Sequence, residues 1–325
     1  MNIAVLDDIH NAFDADPAIQ RLRQAGHTVV VFTQALTPAN RAASLKGVDV
    51  VIPIRERSRL DGAFYDDAPD LKLISQTGRA GPHIDRPATN QRGILICEGA
   101  STRYSPSTAE LAIALMLAIM RRVPQSFAAL KAGRWETPMG ITLSGKTLGL
   151  VGFGRIGGQM ARLGNAFDMK VLAYSKNMTA ERAAAAGATA VDLPTLMRDS
   201  DVVSVHLALN DGTRGLITGE LLGLMKPTAY FVNTARADVT DEAALIKVLQ
   251  AGAIAGAGLD VFTQEPLPAN HPLLALDNVV LTPHAGYPAD VSYESFAEGA
   301  VANIEAWLAG KPQNVANPQV LEGKP

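Results

Sequence analysis

Arg236, Glu265 and His284 are the side chains in this sequence whose types could carry a reaction together. A histidine exchanges a proton near neutral pH. A carboxylate beside it would hold its orientation, and an arginine's planar fork matches two oxygens of an anionic ligand. Each alone has an ordinary explanation, because a lone histidine is more often structural and a lone Arg–Glu pair more often a salt bridge. Their positions link them. Asn233, Thr234 and Arg236 follow a buried-strand pattern at 229–232, Asp260 and Glu265 follow one at 254–259, His284 follows 279–281, and His206 follows 202–205. In open α/β sheets ligands bind beyond the carboxyl ends of the strands. One sheet edge is therefore expected to hold a cation, two acids and two histidines, which is equipment for reducing a carbonyl if a hydride source binds nearby.

The string Gly152-Phe153-Gly154-Arg155-Ile156-Gly157 supplies the candidate for that source. It matches G-x-G-x-x-G, follows a strand pattern at 147–151 and opens a helix pattern at 155–166, the context a dinucleotide requires. Gly152 permits the tight turn, Gly154 lets backbone approach a pyrophosphate, and Gly157 lets helix and strand pack closely. The N–H groups of Arg155 and Ile156, with the positive helix end, would face the phosphates. An acid after the next strand (170–174) would bind the ribose hydroxyls of NAD. The residues there are Ser175, Lys176 and Asn177. A 2′-phosphate would meet no repulsion and could pair with Ser175 and Lys176, so NADP(H) acceptance is one expectation. The other is that Lys176 is a solvated turn residue and NAD binds through backbone and water.

The elements that must position these groups follow from short apolar runs. Patterns at 3–6, 28–32, 48–52, 71–75 and 94–97 read as strands buried on both faces, with a helix at 18–25 between the first two. A second series adds helices at 179–186 and 242–251. Alternation of strand and helix gives an α/β fold. Ser107-Thr108-Ala109-Glu110, after Pro106, reads as a capping box. The apolar helix that follows, 111–122, is expected to lie buried between two domains or two subunits. A length of 325 residues favours two domains. The expected division is a substrate domain of 1–100 plus 290–325, completed by a helix at 290–308, and a dinucleotide-binding domain of 101–289.

At this point the chain resembles the D-isomer-specific 2-hydroxyacid dehydrogenases. The resemblance rests on Leu143-Ser144-Gly145-Lys146-Thr147-Leu148-Gly149 running into the glycine string, on Asn233-Thr234-Ala235-Arg236, on Gly258-Leu259-Asp260-Val261-Phe262 with Glu265-Pro266, and on Thr282-Pro283-His284. It implies a Rossmann dinucleotide-binding domain inserted in a flavodoxin-like domain. It implies an NAD(P)(H)-dependent oxidoreductase of a small D-2-hydroxy acid/2-oxo acid pair, such as glyoxylate, hydroxypyruvate or a phosphoglycerate-like compound, working as a homodimer. Arg236 would bind and polarise the 2-oxo acid, His284 would donate the proton, and Glu265 would pair with His284. Asp260 would bind the nicotinamide carboxamide. His206, Thr234 and Thr108 would line the cofactor side. Backbone N–H groups of the loop at Arg79, Ala80 and Gly81 would bind the substrate carboxylate. That loop departs from the family pattern, with Ala80 for glycine and Pro82 for aspartate. Arg79 either favours a second negative group on the substrate or faces solvent. Arg55 and Arg57 stand where some members contact a substrate phosphate, though surface arginines are also common there.

Composition excludes other classes. The chain is 47% hydrophobic and 19% charged with net charge -3, so a nucleic-acid surface has no electrostatic support. Its one cysteine, Cys97, cannot staple a secreted fold, and no His/Cys cluster has metal-ligand spacing. The longest apolar run, 111–120, falls short of the about 20 residues of a membrane span. The first residues turn acidic at once, unlike a signal peptide, so a cytoplasmic protein is expected. Two alternatives stand beside the dehydrogenase reading. A formate dehydrogenase-like enzyme would carry glutamine where this chain has Glu265. A nucleotide-sensing, corepressor-like binding protein would keep the same motifs without turnover.

Overall fold

The computed structural model describes residues 1–99, 106–136 and 138–322; the expected domain edge between 100 and 101 lies outside the described residues. The chain divides into two compact units, Met1–Ser105 with Ala289–Pro325, and Pro106–Pro288.

The first unit is built on β1 (Asn2–Leu6), α1 (Pro17–Gln24), β2 (Thr28–Val31), α2 (Arg41–Leu45), β3 (Val50–Pro53), α3 (Gly62–Asp67), β4 (Leu73–Ser75), α4 (Arg86–Gln91) and β5 (Leu95–Cys97). Its sheet is parallel in the order β2-β1-β3-β4-β5, the flavodoxin-like arrangement. Asp16, Asp61 and Asp85 cap α1, α3 and α4 through side-chain oxygens, which satisfies N–H groups the helices leave unpaired. The last residues belong to this unit. Ser75 Oγ donates to the Ala300 carbonyl, and buried Asn317 accepts from Ile96 N–H while donating to Asn90 and to the Ile94 carbonyl.

The second unit contains α5 (Ser107–Met120), α6 (Val123–Lys131), β6 (Thr147–Val151), α7 (Arg155–Ala166), β7 (Lys170–Tyr174), α8 (Ala180–Ala184), β8 (Ala188–Ala190), α9 (Leu193–Asp199), β9 (Val202–Val205), α10 (Gly219–Leu222), β10 (Tyr230–Asn233), α11 (Glu242–Gln250), β11 (Gly256–Leu259) and β12 (Val279–Leu281). The chain then returns to the first unit through α12 (Asp290–Leu308) and α13 (Gln319–Glu322). The second sheet is parallel in the order β12-β11-β10-β9-β6-β7-β8. Numbered from β6 this is 3-2-1-4-5-6 with one strand added, the Rossmann order. The architecture is thus the α/β pair of doubly wound sheets that the sequence implies.

Two expectations about α5 need correction. The capping box does not form: Pro106 occupies the cap position in a helical conformation, and the Thr108 hydroxyl donates to the Gly286 carbonyl at 2.8 Å. Nor does burial of α5 need a second domain or subunit. Its buried residues, Ala109 to Met120, join the core of the second unit, where the helix packs on α7 and over β10, β11 and β12. Gly258 permits that approach, because a Cβ there would stand 2.9 Å from Leu115 Cβ. Among the described residues no single helix is long and apolar enough to cross a membrane.

Candidate active site

The fingerprint turn is shaped by backbone contacts. Gly152 has φ of 103°, and a Cβ there would lie 2.7 Å from the His206 backbone. At Gly157 a Cβ would stand 2.2 Å from the Gly152 carbonyl, so only glycine lets α7 start so close to β6. Gly154, by contrast, faces open space, with nothing within 4 Å of its Cβ position. It caps α7 without a side-chain bond, leaving backbone donors and the helix dipole for an anion. A second feature fits a bound dinucleotide: the buried Thr234 hydroxyl has no partner among the described residues. Arg155 is exposed at the first turn of α7, and Ile156 is half-buried behind it.

Beyond β7, Ser175 is half-buried and Lys176 exposed. Met178 N–H donates to the Ser175 carbonyl and closes the turn. His206, beyond β9, shares a 2.9 Å hydrogen bond between Nε2 and the Ser204 hydroxyl. Burial pushes its imidazole down to about 3, so it is neutral at physiological pH and a poor proton donor.

Arg236, Glu265 and His284 converge beyond β10, β11 and β12. His284 Nδ1 lies 2.7 Å from Glu265 Oε2. Glu265 Oε1 accepts from Phe262 N–H at 2.9 Å. Burial raises the Glu265 carboxyl, but the His284 and Phe262 hydrogen bonds and the charges of His284 and Arg236 outweigh it and hold the group below its ordinary range. Arg236 is half-buried, donates to the Ala235 carbonyl at 2.7 Å, and has its own carbonyl held by Asn233 Nδ2.

Asp260 stands behind this arrangement. It is fully buried, and its oxygens accept from Thr282 Oγ1 at 2.6 Å, Ala285 N–H at 2.7 Å and Gly286 N–H at 2.9 Å. Burial nevertheless pushes its carboxyl above the usual range. Its own carbonyl accepts from His284 N–H. His284 adopts the left-handed region, φ 53°, which a non-glycine residue holds only when its surroundings over-determine it. Asp260 is therefore the support of the His284 loop, a role additional to the carboxamide contact the resemblance implies.

In the first unit, Arg79 is exposed, Gly81 half-buried and Ala80 buried. Ala80 N–H is already engaged, donating to Glu98 Oε1 at 3.1 Å, and Arg86 donates to the Ala80 carbonyl and approaches Glu98 at 3.5 Å. Arg55, with φ 56°, lies over the Phe296 ring and against Gly78, whereas Arg57 turns away to the Asp7 carbonyl. Glu98 escaped the sequence reading because its contact joins two loops with no shared motif. Among the described residues, no group of three or more His, Cys, Asp or Glu side chains could hold a metal ion.

This geometry, a dinucleotide turn with a histidine–carboxylate pair and an arginine, defines an oxidoreductase dependent on a nicotinamide dinucleotide, NAD(P). The pattern of the D-isomer specific 2-hydroxyacid dehydrogenase NAD binding domain matches residues 113–286, and the chain belongs to that family. It is accordingly an NAD(P)-dependent D-2-hydroxyacid oxidoreductase. It is similar to a glyoxylate reductase of Thermofilum pendens, 37% identical over 321 residues that cover 95% of this chain and 94% of the relative. The crystal structure of a phosphoglycerate oxidoreductase from Vibrio cholerae superposes with a TM-score of 0.86 at 38% identity, covering 95% of this chain and 99% of that one. An acyclic imino acid reductase in complex with NADPH and D-Arg gives 0.76 at 29%, covering 97% and 99%.

Two outcomes test the support of the trio. Asp260→Asn places an amide N–H against a backbone donor, so urea denaturation should show a loss of about 1–3 kcal/mol, with kcat reduced alongside. The second concerns Glu265. Because its folded pKa lies below the unfolded one, its contribution to stability is present above the unfolded carboxylate range and is lost as pH falls through the folded value. Denaturation of wild type and Glu265→Gln against pH should therefore show a stability gap that narrows on acidification.

Proposed function

We propose that this enzyme reduces a small 2-oxo acid to its D-2-hydroxy acid, with His284 as the acid and base. The observation that carries the proposal is the 2.7 Å contact of His284 Nδ1 with Glu265, which leaves Nε2 as the nitrogen that exchanges a proton with the substrate oxygen. Glu265, held ionised, stabilises the protonated imidazole. Arg236 binds the substrate carboxylate and polarises its carbonyl. When bound, the dinucleotide would supply the hydride. Gly152, Gly154, Arg155, Ile156 and Gly157 hold its phosphates, Thr234, Thr108, His206 and Asp260 line its path, and Ser175 with Lys176 accepts a 2′-phosphate. In the first unit, the substrate domain, the loop of Arg79, Ala80 and Gly81 receives the substrate carboxylate. Glyoxylate and hydroxypyruvate are the favoured substrates, supported by the similarity to a glyoxylate reductase. Glu265, rather than glutamine, supports this reading over formate oxidation. A cytoplasmic location suits such a nicotinamide-dependent enzyme.

We also propose a homodimer. Val123, Phe127 and Leu130 stand at i, i+4 and i+7 of α6 and are each more than half exposed, and Trp135 and Met139 beyond it are 87% and 92% exposed. An apolar patch of this kind marks a protein contact. Static light scattering should return twice the chain mass of 34.3 kDa. Phe127→Glu should shift the protein toward monomer.

Turnover of glyoxylate, hydroxypyruvate and phosphohydroxypyruvate, each with NADH and NADPH, tests the reaction. At least one pair should be consumed. His284→Ala should then lose roughly 10²–10⁴-fold in kcat while binding cofactor normally. Cofactor binding without turnover of any 2-oxo acid would indicate a sensor instead.

A further inference from the structure

Arg182 is a cation beside the dinucleotide turn that no sequence motif singles out. Its Nη2 donates to the carbonyl of Phe153, the middle residue of the Gly152-Phe153-Gly154 turn, and its guanidinium lies 6.0 Å from the centre of the Phe153 ring. Its Nη1 reaches the carbonyl of Asn177 at 3.5 Å. The side chain thus bridges two loops. One follows β6 and carries the phosphate-binding glycines; the other follows β7 and carries Ser175 and Lys176. Gly152 N–H donates to the Tyr174 carbonyl at 2.8 Å, so these loops are bonded where the strands end. In a Rossmann sheet this junction receives the adenosine ribose.

The bridge is over-equipped for a structural strut. A guanidinium has five N–H donors, and two hydrogen bonds to neutral carbonyls leave donors for an anion. Arg182 is exposed and makes no ion pair among the described residues. The adjacent acid, Glu181, is engaged with the Thr179 hydroxyl and its own backbone N–H. Thr179 Oγ1 accepts from Arg182 N–H at 3.2 Å, which fixes the backbone from which the side chain departs. The position after β7 where a carboxylate would repel a phosphate is Ser175. The two cations Lys176 and Arg182 thus outnumber Glu181, the one acid of this segment, on the loop that follows the strand end where a dinucleotide's adenosine ribose is received.

We propose that Arg182 grips the 2′-phosphate of NADP(H) and thereby sets the cofactor preference of this enzyme. The proposal rests on the reading that NADP(H) is accepted at Ser175 and Lys176, and adds the residue that discriminates. Charge-assisted, forked contacts to phosphate are stronger than those of a hydroxyl or a single lysine, so most of the discrimination falls to Arg182.

Isothermal titration of the intact enzyme with 2′,5′-ADP and with 5′-AMP separates the steps. Wild type should bind 2′,5′-ADP more tightly. Arg182→Ala should weaken 2′,5′-ADP by roughly tenfold or more and leave 5′-AMP within about twofold, as expected for loss of a charged hydrogen bond. The ratio of kcat/KM for NADPH over NADH should fall in parallel. Arg182→Lys should keep part of the preference. If wild type binds the two nucleotides equally, NADP(H) acceptance itself fails and the proposal with it. If wild type prefers 2′,5′-ADP and Arg182→Ala keeps that preference, or loses both nucleotides equally, Arg182 is a strut of the loop and the proposal alone is overturned.

Discussion

A buried carboxylate holds together the segments beyond the carboxyl ends of β11 and β12. Asp260 emerges from β11 into a position with no exposure, and its oxygens accept from the hydroxyl of Thr282 and from the backbone of Ala285 and Gly286 beyond β12. Burying an ionised group is costly unless its hydrogen-bonding capacity is filled, and three donors fill most of it here. They all come from the segment that carries His284. The left-handed backbone of His284 is thus held by the side chain and carbonyl of one residue, and its ring is presented to Glu265. Without that anchor the histidine would sit on an ordinary loop, with no fixed distance to its carboxylate.

The parallel sheet explains why so many polar groups arrive at one edge. Every strand of the second sheet runs the same way, so β6, β7, β9, β10, β11 and β12 all deliver their following residues to the same side. The central strands β6, β9, β10 and β11 are buried on both faces and carry few polar side chains. Chemistry is then confined to the first few residues beyond each strand, and stability to the strands and helices behind. Small residues let the two layers approach. A Cβ at Gly149 would strike Leu196 at 2.6 Å and Ser200 at 2.2 Å, so α9 can lie on β6 only because that position is glycine.

Sequence patterns reveal this design unevenly. The strand 147–151 and helix 155–166 were legible to the residue, because an apolar run meets a glycine string whose backbone demands are specific. The order Arg236, Glu265, His284 was legible because each follows a strand pattern. The edge strand β8 was not, since Ala188-Thr189-Ala190 is three residues long without a β-branched run. The helix α6 was hidden by its boundary: Arg122 takes a left-handed conformation, the axis bends by 59°, and a new helix starts at Val123 with Pro124 in its first turn. Glu98 and Arg182 were out of reach for a different reason. Each acts through a backbone carbonyl or N–H in a loop far along the chain, and spacing within one segment carries no trace of such a contact.

The dinucleotide turn and the loop at 79–81 differ in physical character. At the dinucleotide turn Gly154 faces open space; the Thr234 hydroxyl has no partner among the described residues, and Arg182 keeps N–H groups beyond its two carbonyl bonds. In the loop of the first unit they are partly filled from within, because Glu98 occupies Ala80 N–H and Arg86 balances its charge. A loop with open donors accepts an anion at little reorganisation cost. A loop whose donor already holds a carboxylate must either exchange it or bind an incoming anion through its other groups. The loop of the first unit thus answers one of its own backbone donors from within, through the Glu98–Arg86 pair.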